Sequence, residues 1–140
     1  MGTIRRFEDL DVWKTARRLA NDVYAYTAKD RFSRDFGLRD QIQRAAVSVM
    51  SNIAEGFESR TQSLFIDYLG RARASTGEVR SQLYLALDLD YISQDEFDAA
   101  YDLAEKASRQ SYRLIEYLAS RPNARRVRET QPEYRIDRDD

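Results

Sequence analysis

Between Gln41 and Gly56 the chain reads QIQRAAVSVMSNIAEG, and this stretch decides the fold. With its neighbours on either side it carries apolar residues every three to four positions, as one face of an α-helix requires. These residues are Leu38, Ile42, Ala45, Ala46, Val49, Ile53 and Phe57. A polar file runs up the same helix beside that face, at Arg44, Ser48, Asn52 and Glu55. Polar groups so close to a core need partners, so the stretch predicts a helix that packs in one specific register.

The composition excludes several classes of enzyme. The 140 residues include no Cys and no His, which rules out thiol nucleophiles, disulfides, zinc–thiolate sites and Ser-His-Asp triads. It also rules out the Glu-x-x-His motif of di-iron helical bundles. The net charge of −1, from 23 basic and 24 acidic side chains, disfavours strong non-specific binding of nucleic acid. We therefore expect no catalytic residues, no metal site and no cofactor.

The hydropathy of the chain indicates a soluble protein. No apolar run reaches the length that spans a membrane, and the amino terminus lacks the apolar stretch of a signal peptide. The absence of Cys is compatible with a reducing compartment. We expect cytoplasmic localisation and no membrane partner.

Four segments of the chain have helical periodicity. The predicted helices run from Asp9 to about Ala28, from about Gly37 to Phe57, from near Thr61 through Leu87, and from a capping box at Ser93 and Glu96 to Leu118. Lys29 to Phe36 is charged and aperiodic, which predicts a loop, and Gly56 is interpreted as a helix terminator. Because the two later connections are short, neighbouring helices must be antiparallel. The sequence predicts an all-α, up-down-up-down four-helix bundle over residues 1–120.

The periodic pattern stops at Arg121. The segment 121–140 contains both prolines of the chain, Pro122 and Pro132, and only isolated apolar residues. Such a segment cannot bury enough apolar surface to order itself. It is predicted to be a flexible, charged C-terminal tail.

The end of the third helix carries more apolar surface than one bundle can bury. Tyr84, Leu85 and Leu89 are predicted to point away from the core, and Tyr91 follows them in the sequence. A helix that is apolar on nearly all sides is normally buried on nearly all sides. We expect these residues to form an interface between copies of the chain. The alternative is that the first loop or the tail covers them.

The polar file of the second helix has two interpretations. A hairpin of helices 2 and 3 centred near residue 60 predicts a partly buried ion pair between Arg44 and Glu78, with Ser48 and Asn52 bonding across the interface. The alternative is a ligand pocket lined by Arg44, Ser48, Asn52, Glu55 and Glu78. The structural interpretation is favoured, because no base–nucleophile pair and no metal-ligand His accompany these residues.

Three pairs of arginines lie close together on the helices. Arg73 with Arg80 and Arg109 with Arg113 each share a helix face, and Arg17 with Arg18 cluster beside Lys14 on helix 1. Nearby acidic residues make each pair typical of an ordinary solvated surface. Symmetric assembly would nevertheless repeat any such pair around a ring and create a basic surface for nucleic acid.

Several motifs resemble one known family. They are Phe7-Glu-Asp-Leu10, Val12-Trp13-Lys14, Asn52-Ile-Ala-Glu-Gly56, Phe65-x-x-Tyr-Leu69 and Leu87-x-x-x-Tyr91-Ile92. Between Arg5 and Leu118 the chain resembles the 23S rRNA-intervening-sequence four-helix-bundle proteins. That family is similar to the accessory variability proteins of diversity-generating retroelements, which form pentameric barrels that bind nucleic acid and a reverse transcriptase.

The resemblance implies a non-enzymatic, homo-oligomeric scaffold, with a pentamer favoured, that engages RNA or a nucleic-acid-processing protein. Six motif positions carry over as architectural: Arg44, Ser48, Asn52, Glu55, Gly56 and Glu78. The alternatives are a scaffold that binds only protein and a small-ligand binder that uses the polar file.

Overall fold

Four long α-helices make up most of the protein. A computed structural model describes residues 4–121. They are α1 (Asp11–Thr27), α2 (Phe36–Glu58), α3 (Gln62–Asp88) and α4 (Gln94–Ala119). Two short 3-10 helices, Phe7–Asp9 and Phe32–Arg34, precede α1 and α2. The four predicted helices are confirmed, with ends within about two residues of the predicted ones. The predicted tail lies outside the described residues except for Arg121.

The helices pack in a ring of neighbours. α1 packs on α2 and α4, and α3 packs on the same two helices, so α1 and α3 lie diagonally across the bundle. Cross-helix contacts such as Gln43 with Thr27, and Gln82 with Gln41, show that successive helices run antiparallel. The predicted up-down-up-down four-helix bundle is confirmed.

The core consists of two apolar clusters stacked along the bundle axis. One surrounds Ile53, Phe57 and Phe65, and the other surrounds Ile42 and Leu83. All five side chains are at most 1% exposed. Full burial of each such side chain stabilises the fold by about 1.5–3 kcal/mol. The apolar face read from the sequence of α2 is therefore the face that enters the core.

The segment before α2 is more structured than an aperiodic loop. Its charged residues surround Phe32, which is 1% exposed and stacks on Tyr91 at a ring-centroid distance of 5.1 Å. The Tyr91 hydroxyl donates to Oδ2 of Asp35 (2.9 Å), and Oδ1 of Asp35 accepts from the N–H of Leu38 and caps α2. One aromatic anchor holds this segment, and a single aromatic residue produces no periodicity in the sequence.

Gly56 does not terminate α2, contrary to the sequence-based interpretation. The helix continues to Glu58, and Gly56 lacks the positive φ of a helix-ending glycine. A Cβ at this position would lie 2.7 Å from Cβ of Tyr68 and 2.9 Å from Cδ1 of Phe65. Glycine is required here because it allows α3 to approach the backbone of α2 closely.

The end of α3 is closed by a Schellman motif. The N–H of Tyr91 donates to the carbonyl oxygen of Ala86, and the N–H of Asp90 donates to that of Leu87. Asp90 takes the left-handed conformation, with φ of 58°. Arg31, in the connection between α1 and α2, donates to the carbonyl oxygen of Leu89. These bonds stop the helix sharply and leave its last turn on the surface.

The predicted capping box at the start of α4 is confirmed. Oγ of Ser93 accepts from the N–H of Glu96, and Oε1 of Glu96 accepts from the N–H of Ser93. The other carboxylate oxygen of Glu96 lies 3.1 Å from Nζ of Lys29 and so joins α4 to the end of α1. The backbone N–H of Ser93, together with Lys29, lowers the pKa of Glu96 below its usual value of 4.5.

We expect Gly56→Ala to destabilise the protein by about 1–3 kcal/mol, because the new methyl group would push α3 away from α2. Gly70→Ala is the matched control: Gly70 is helical and exposed, with nothing within 4 Å of the added Cβ. That change should stabilise by about 0.5–1 kcal/mol through helix propensity. Denaturant unfolding measures both. A neutral Gly56→Ala change would contradict the packing role of Gly56.

We expect Glu96→Gln to lower the free energy of unfolding by about 0.3–1 kcal/mol at neutral pH, since a charge near a helix N-terminus is lost. The folded pKa of Glu96 is lowered, so its carboxylate stabilises the fold above pH 4.5, the usual value, and this contribution is lost as pH falls through the folded pKa. Unfolding from pH 7 to pH 3 should show the difference from wild type disappearing in acid.

The control for this series is Glu78→Gln, at an exposed position outside any described ion pair. It should stay within about 0.5 kcal/mol of wild type. A difference for Glu96→Gln that is constant across the pH range would mean that the charge of Glu96 does not contribute.

Candidate functional site

The polar file of α2 is only partly used in packing against α3. Oγ of Ser48 accepts hydrogen bonds from Oγ of Ser75 (2.9 Å) and from Nδ2 of Asn52 (2.8 Å). Nδ2 of Asn52 also donates to the carbonyl oxygen of Ser48. The predicted bond across the interface is confirmed for Ser48. It is wrong for Asn52, whose short side chain reaches back along its own helix instead.

The predicted ion pair between Arg44 and Glu78 is not formed. Ion pairs between residues 4 and 121 join Arg6 to Glu8, Lys29 to Glu96 and Arg39 to Asp40. Both Arg44 and Glu78 are exposed, as is Glu55. The contacts of Ser48 with Ser75 and Gln41 with Gln82 place Arg44 level with residue 79, so the register of the hairpin does not keep it from Glu78. At the outer rim of the interface both charges are solvated, and pairing them would contribute little.

Arg44 instead lies beside α1, in an open groove with a cavity volume of about 440 Å³. We call this the α1–α2 groove, and its lining residues are Tyr24, Asp40, Gln43, Arg44, Val47 and Ser48. The sequence pattern predicted a pocket between α2 and α3 and gave no place in it to Tyr24 or Val47. Both are exposed, at 48% and 38%. The sequence feature that could have indicated them is that each is an apolar residue on the otherwise polar side of its helix.

A second surface, the α3 patch, consists of Tyr84, Leu85 and Leu89, which are 51%, 47% and 39% exposed. The ring of Tyr84 lies 4.9 Å from that of Phe97 on α4, so the patch borders the α3–α4 seam. The connection before α2 touches the end of α3 through Arg31 but leaves the patch open. The alternative that this connection covers the patch is therefore wrong, and cover by the tail falls outside residues 4–121.

Two aromatic residues near the patch differ from expectation. Tyr91 is half-buried, and its ring and hydroxyl contact Phe32 and Asp35 within the chain. Phe36, absent from the predicted interface, is 63% exposed at the start of α2. The register of Gln41 with Gln82 places Phe36 level with the last turn of α3. Its position next to an aperiodic segment gave no sign of which way it would point.

The candidate arginines are spread over three helices. Cζ of Arg73 lies 5.0 Å from the ring centroid of Tyr112, and Cζ of Arg80 lies 5.9 Å from that of Tyr101. Both contacts lie along the seam between α3 and α4. Arg17 lies 5.7 Å from Trp13 on α1. Three more, Arg18, Arg109 and Arg113, are exposed on α1 and α4. The structure therefore brings Arg73 and Arg80 together with aromatic side chains on one seam.

Acidic groups border that seam. Glu116 accepts a hydrogen bond from the hydroxyl of Tyr112, which raises the pKa of Tyr112. Hydrogen bonding with Tyr101 raises the pKa of Tyr84, and Glu105 contributes to this increase. The surface along α3 and α4 is thus mixed in charge within a single copy.

No metal-binding or membrane-spanning feature occurs in the part of the chain that the structure describes. Its acidic residues form no cluster of three or more that could hold a metal ion. None of its helices combines the length and apolarity needed to cross a bilayer.

Comparison with known proteins identifies the family. A search of curated proteins finds no match. The fold matches a crystal structure from Bacteroides thetaiotaomicron VPI-5482, described as a protein with unknown function from the S23 ribosomal protein family. Its TM-score is 0.69 at 19% identity, and the match covers 75% of this chain and 98% of that one. The family model for the 23S rRNA-intervening sequence protein matches residues 8–113. The chain therefore belongs to the 23S rRNA-intervening sequence protein family.

Proposed function

We propose that this protein is a non-enzymatic, homo-oligomeric scaffold in the cytoplasm that engages RNA or a nucleic-acid enzyme. The observation that carries the proposal is the α3 patch. Its three large side chains remain exposed although the core-facing residues of α3, from Phe65 to Ala86, are buried. Contiguous exposed apolar surface on a small domain marks an interaction site. Burial against another copy would remove it from water in every subunit at once.

A five-subunit ring is the assembly that we favour. Its basis is the resemblance to the accessory variability proteins, which form pentameric barrels. A closed ring buries one patch per subunit and presents every remaining face repeatedly.

The nucleic-acid part of the proposal is supported by the arginines of the α3–α4 seam and by the family. Arg73 and Arg80 lie against tyrosine rings at exposed or half-exposed positions. Guanidinium groups bind phosphate, and aromatic rings stack on bases. The names of the family and of the structural relative refer to ribosomal RNA and to a ribosomal protein. Repetition around a ring would multiply phosphate contacts that are too few for strong binding in one copy.

A scaffold that binds only protein is the second candidate. The acidic residues Glu105 and Glu116 beside the seam favour it, because alternating charge suits a protein surface better than a phosphate backbone. The small-ligand alternative is supported by Arg44 in the α1–α2 groove. The groove is open rather than deep, which makes a macromolecular occupant the better fit.

Wild-type protein should have a mass in solution that is a multiple of 16.4 kDa, and Leu85→Glu should reduce it to the monomer. A carboxylate in the patch cannot be buried against an apolar partner. Leu64→Glu is the matched control, since Leu64 is 44% exposed near the other end of α3. Light scattering and circular dichroism report mass and helicity. A monomeric wild type would contradict the scaffold proposal.

The oligomer should bind structured RNA with an affinity that falls steeply as salt rises, because phosphate contacts release counterions. Replacing Arg73 and Arg80 by Gln should weaken binding and flatten the salt dependence. Arg6→Gln, an exposed change on the segment before α1, is the control. Fluorescence anisotropy across a salt series measures these affinities. An oligomer that binds no RNA at about 50 mM salt would support the protein-only scaffold instead.

A further inference from the structure

We propose that the α3 patch of one copy docks in the α1–α2 groove of a second copy, so that the chains assemble head to tail. The inference rests on the proposed homo-oligomeric function and specifies its interface. It follows from the positions, shapes and charges of the two surfaces.

The two surfaces lie on different sides of the bundle. α1 and α3 lie diagonally across the bundle, and the groove opens between α1 and α2. Tyr84 of the patch borders the opposite seam, between α3 and α4. A rigid bundle cannot bring its own patch to its own groove, whereas a second copy can.

The shapes and polarity of the surfaces are complementary. The groove is concave, with a volume of about 440 Å³, and it exposes the apolar side chains of Tyr24 and Val47. The patch presents Leu85 and Leu89 from the outside of a helix. Docking a helix ridge into a groove between two helices is the usual way in which helical surfaces bury apolar side chains.

The charges around the surfaces are complementary too. Arg44 makes no ion pair or hydrogen bond with any residue in the range 4–121, whereas Asp40 in the same groove is paired with Arg39. The groove therefore has one uncompensated positive charge.

The α3 patch has the opposite charge at its edge. Asp88 is exposed, three residues after Leu85, and it ends α3 in a turn that contains no basic residue. A carboxylate at a helix C-terminus faces the negative end of the helix dipole, so a cation nearby is favourable. Arg31 bonds the carbonyl oxygen of Leu89 but forms no ion pair with Asp88. Arg44 of the second copy would supply the missing cation.

A symmetric interface, in which two α3 patches meet, is less favourable. It would join two acidic patch edges and leave Arg44 of each copy without a carboxylate partner. A head-to-tail interface instead pairs unlike surfaces. Repeated with a rotation that closes, it generates a ring, which agrees with the proposed assembly.

The test uses full-length chains with one surface damaged in each. Leu85→Glu removes the patch, and Val47→Glu removes the groove. Both variants should have the monomer mass of 16.4 kDa with wild-type helicity. Mixed in equal amounts, they should form a heterodimer of twice that mass, because each variant retains the surface that the other has lost. Leu64→Glu should keep the wild-type mass.

A charge exchange tests the pairing of Arg44 with Asp88. Arg44→Asp and Asp88→Arg should each weaken assembly at least about tenfold, and the two changes in one chain should restore it. Double-variant protein that remains as weak as the single variants would overturn this pairing.

The remaining outcomes separate the two proposals. A Val47→Glu protein with the wild-type mass would overturn the head-to-tail interface and leave the oligomeric scaffold standing. A mixture of Leu85→Glu and Val47→Glu that stays monomeric would do the same. A monomeric wild type would overturn both.

Discussion

The close approach of α2 and α3 at Gly56 is the constraint on which the rest of the structure depends. With a side chain at position 56, Tyr68 and Phe65 could not keep their places against α2. Because they do, Phe57 and Phe65 meet edge to face at a ring-centroid distance of 5.9 Å and fill one end of the core. The same approach sets the register of the hairpin, in which Ser48 meets Ser75. The absence of a Cβ at position 56 therefore allows two helices of more than twenty residues each to pack in this alignment.

That register decides which polar groups face inward and which remain available to partners. Ser48 is satisfied within the bundle, whereas Arg44, one turn earlier, is left at the rim. At the other end of the hairpin, α3 stops in a tight Schellman motif that leaves Leu85 and Leu89 on the outside. The exposed charge of Arg44 and the exposed side chains of Leu85 and Leu89 both result from how the hairpin packs. They are the surfaces on which we base the proposed assembly of several copies.

Much of the fold could be predicted because its signals are local. The apolar period of α2, the capping box at Ser93 and Glu96, and the short later connections each depend on residues close in sequence. The excess apolar surface at the end of α3 was also visible, since a face that buries Leu83 and Ala86 leaves Tyr84, Leu85 and Leu89 outside. The candidate site was harder to predict. The register was not the difficulty, because the observed hairpin puts Arg44 level with residue 79, next to Glu78. Arg44 lines the α1–α2 groove instead, and the direction of a side chain around its helix cannot be derived from spacing along the hairpin.

The sequence by itself determined four amphipathic helices, their antiparallel order and a chain without cysteine or histidine chemistry. These follow from periodicity, connection length and composition, which are independent of how the helices meet. Only the tertiary structure decided that Gly56 packs rather than terminates, that Tyr91 anchors Phe32, and that Tyr24 and Val47 form a groove with Arg44. Each of these depends on distances between side chains far apart in the sequence. Such distances are set to a fraction of an ångström by close packing, and no local pattern encodes them.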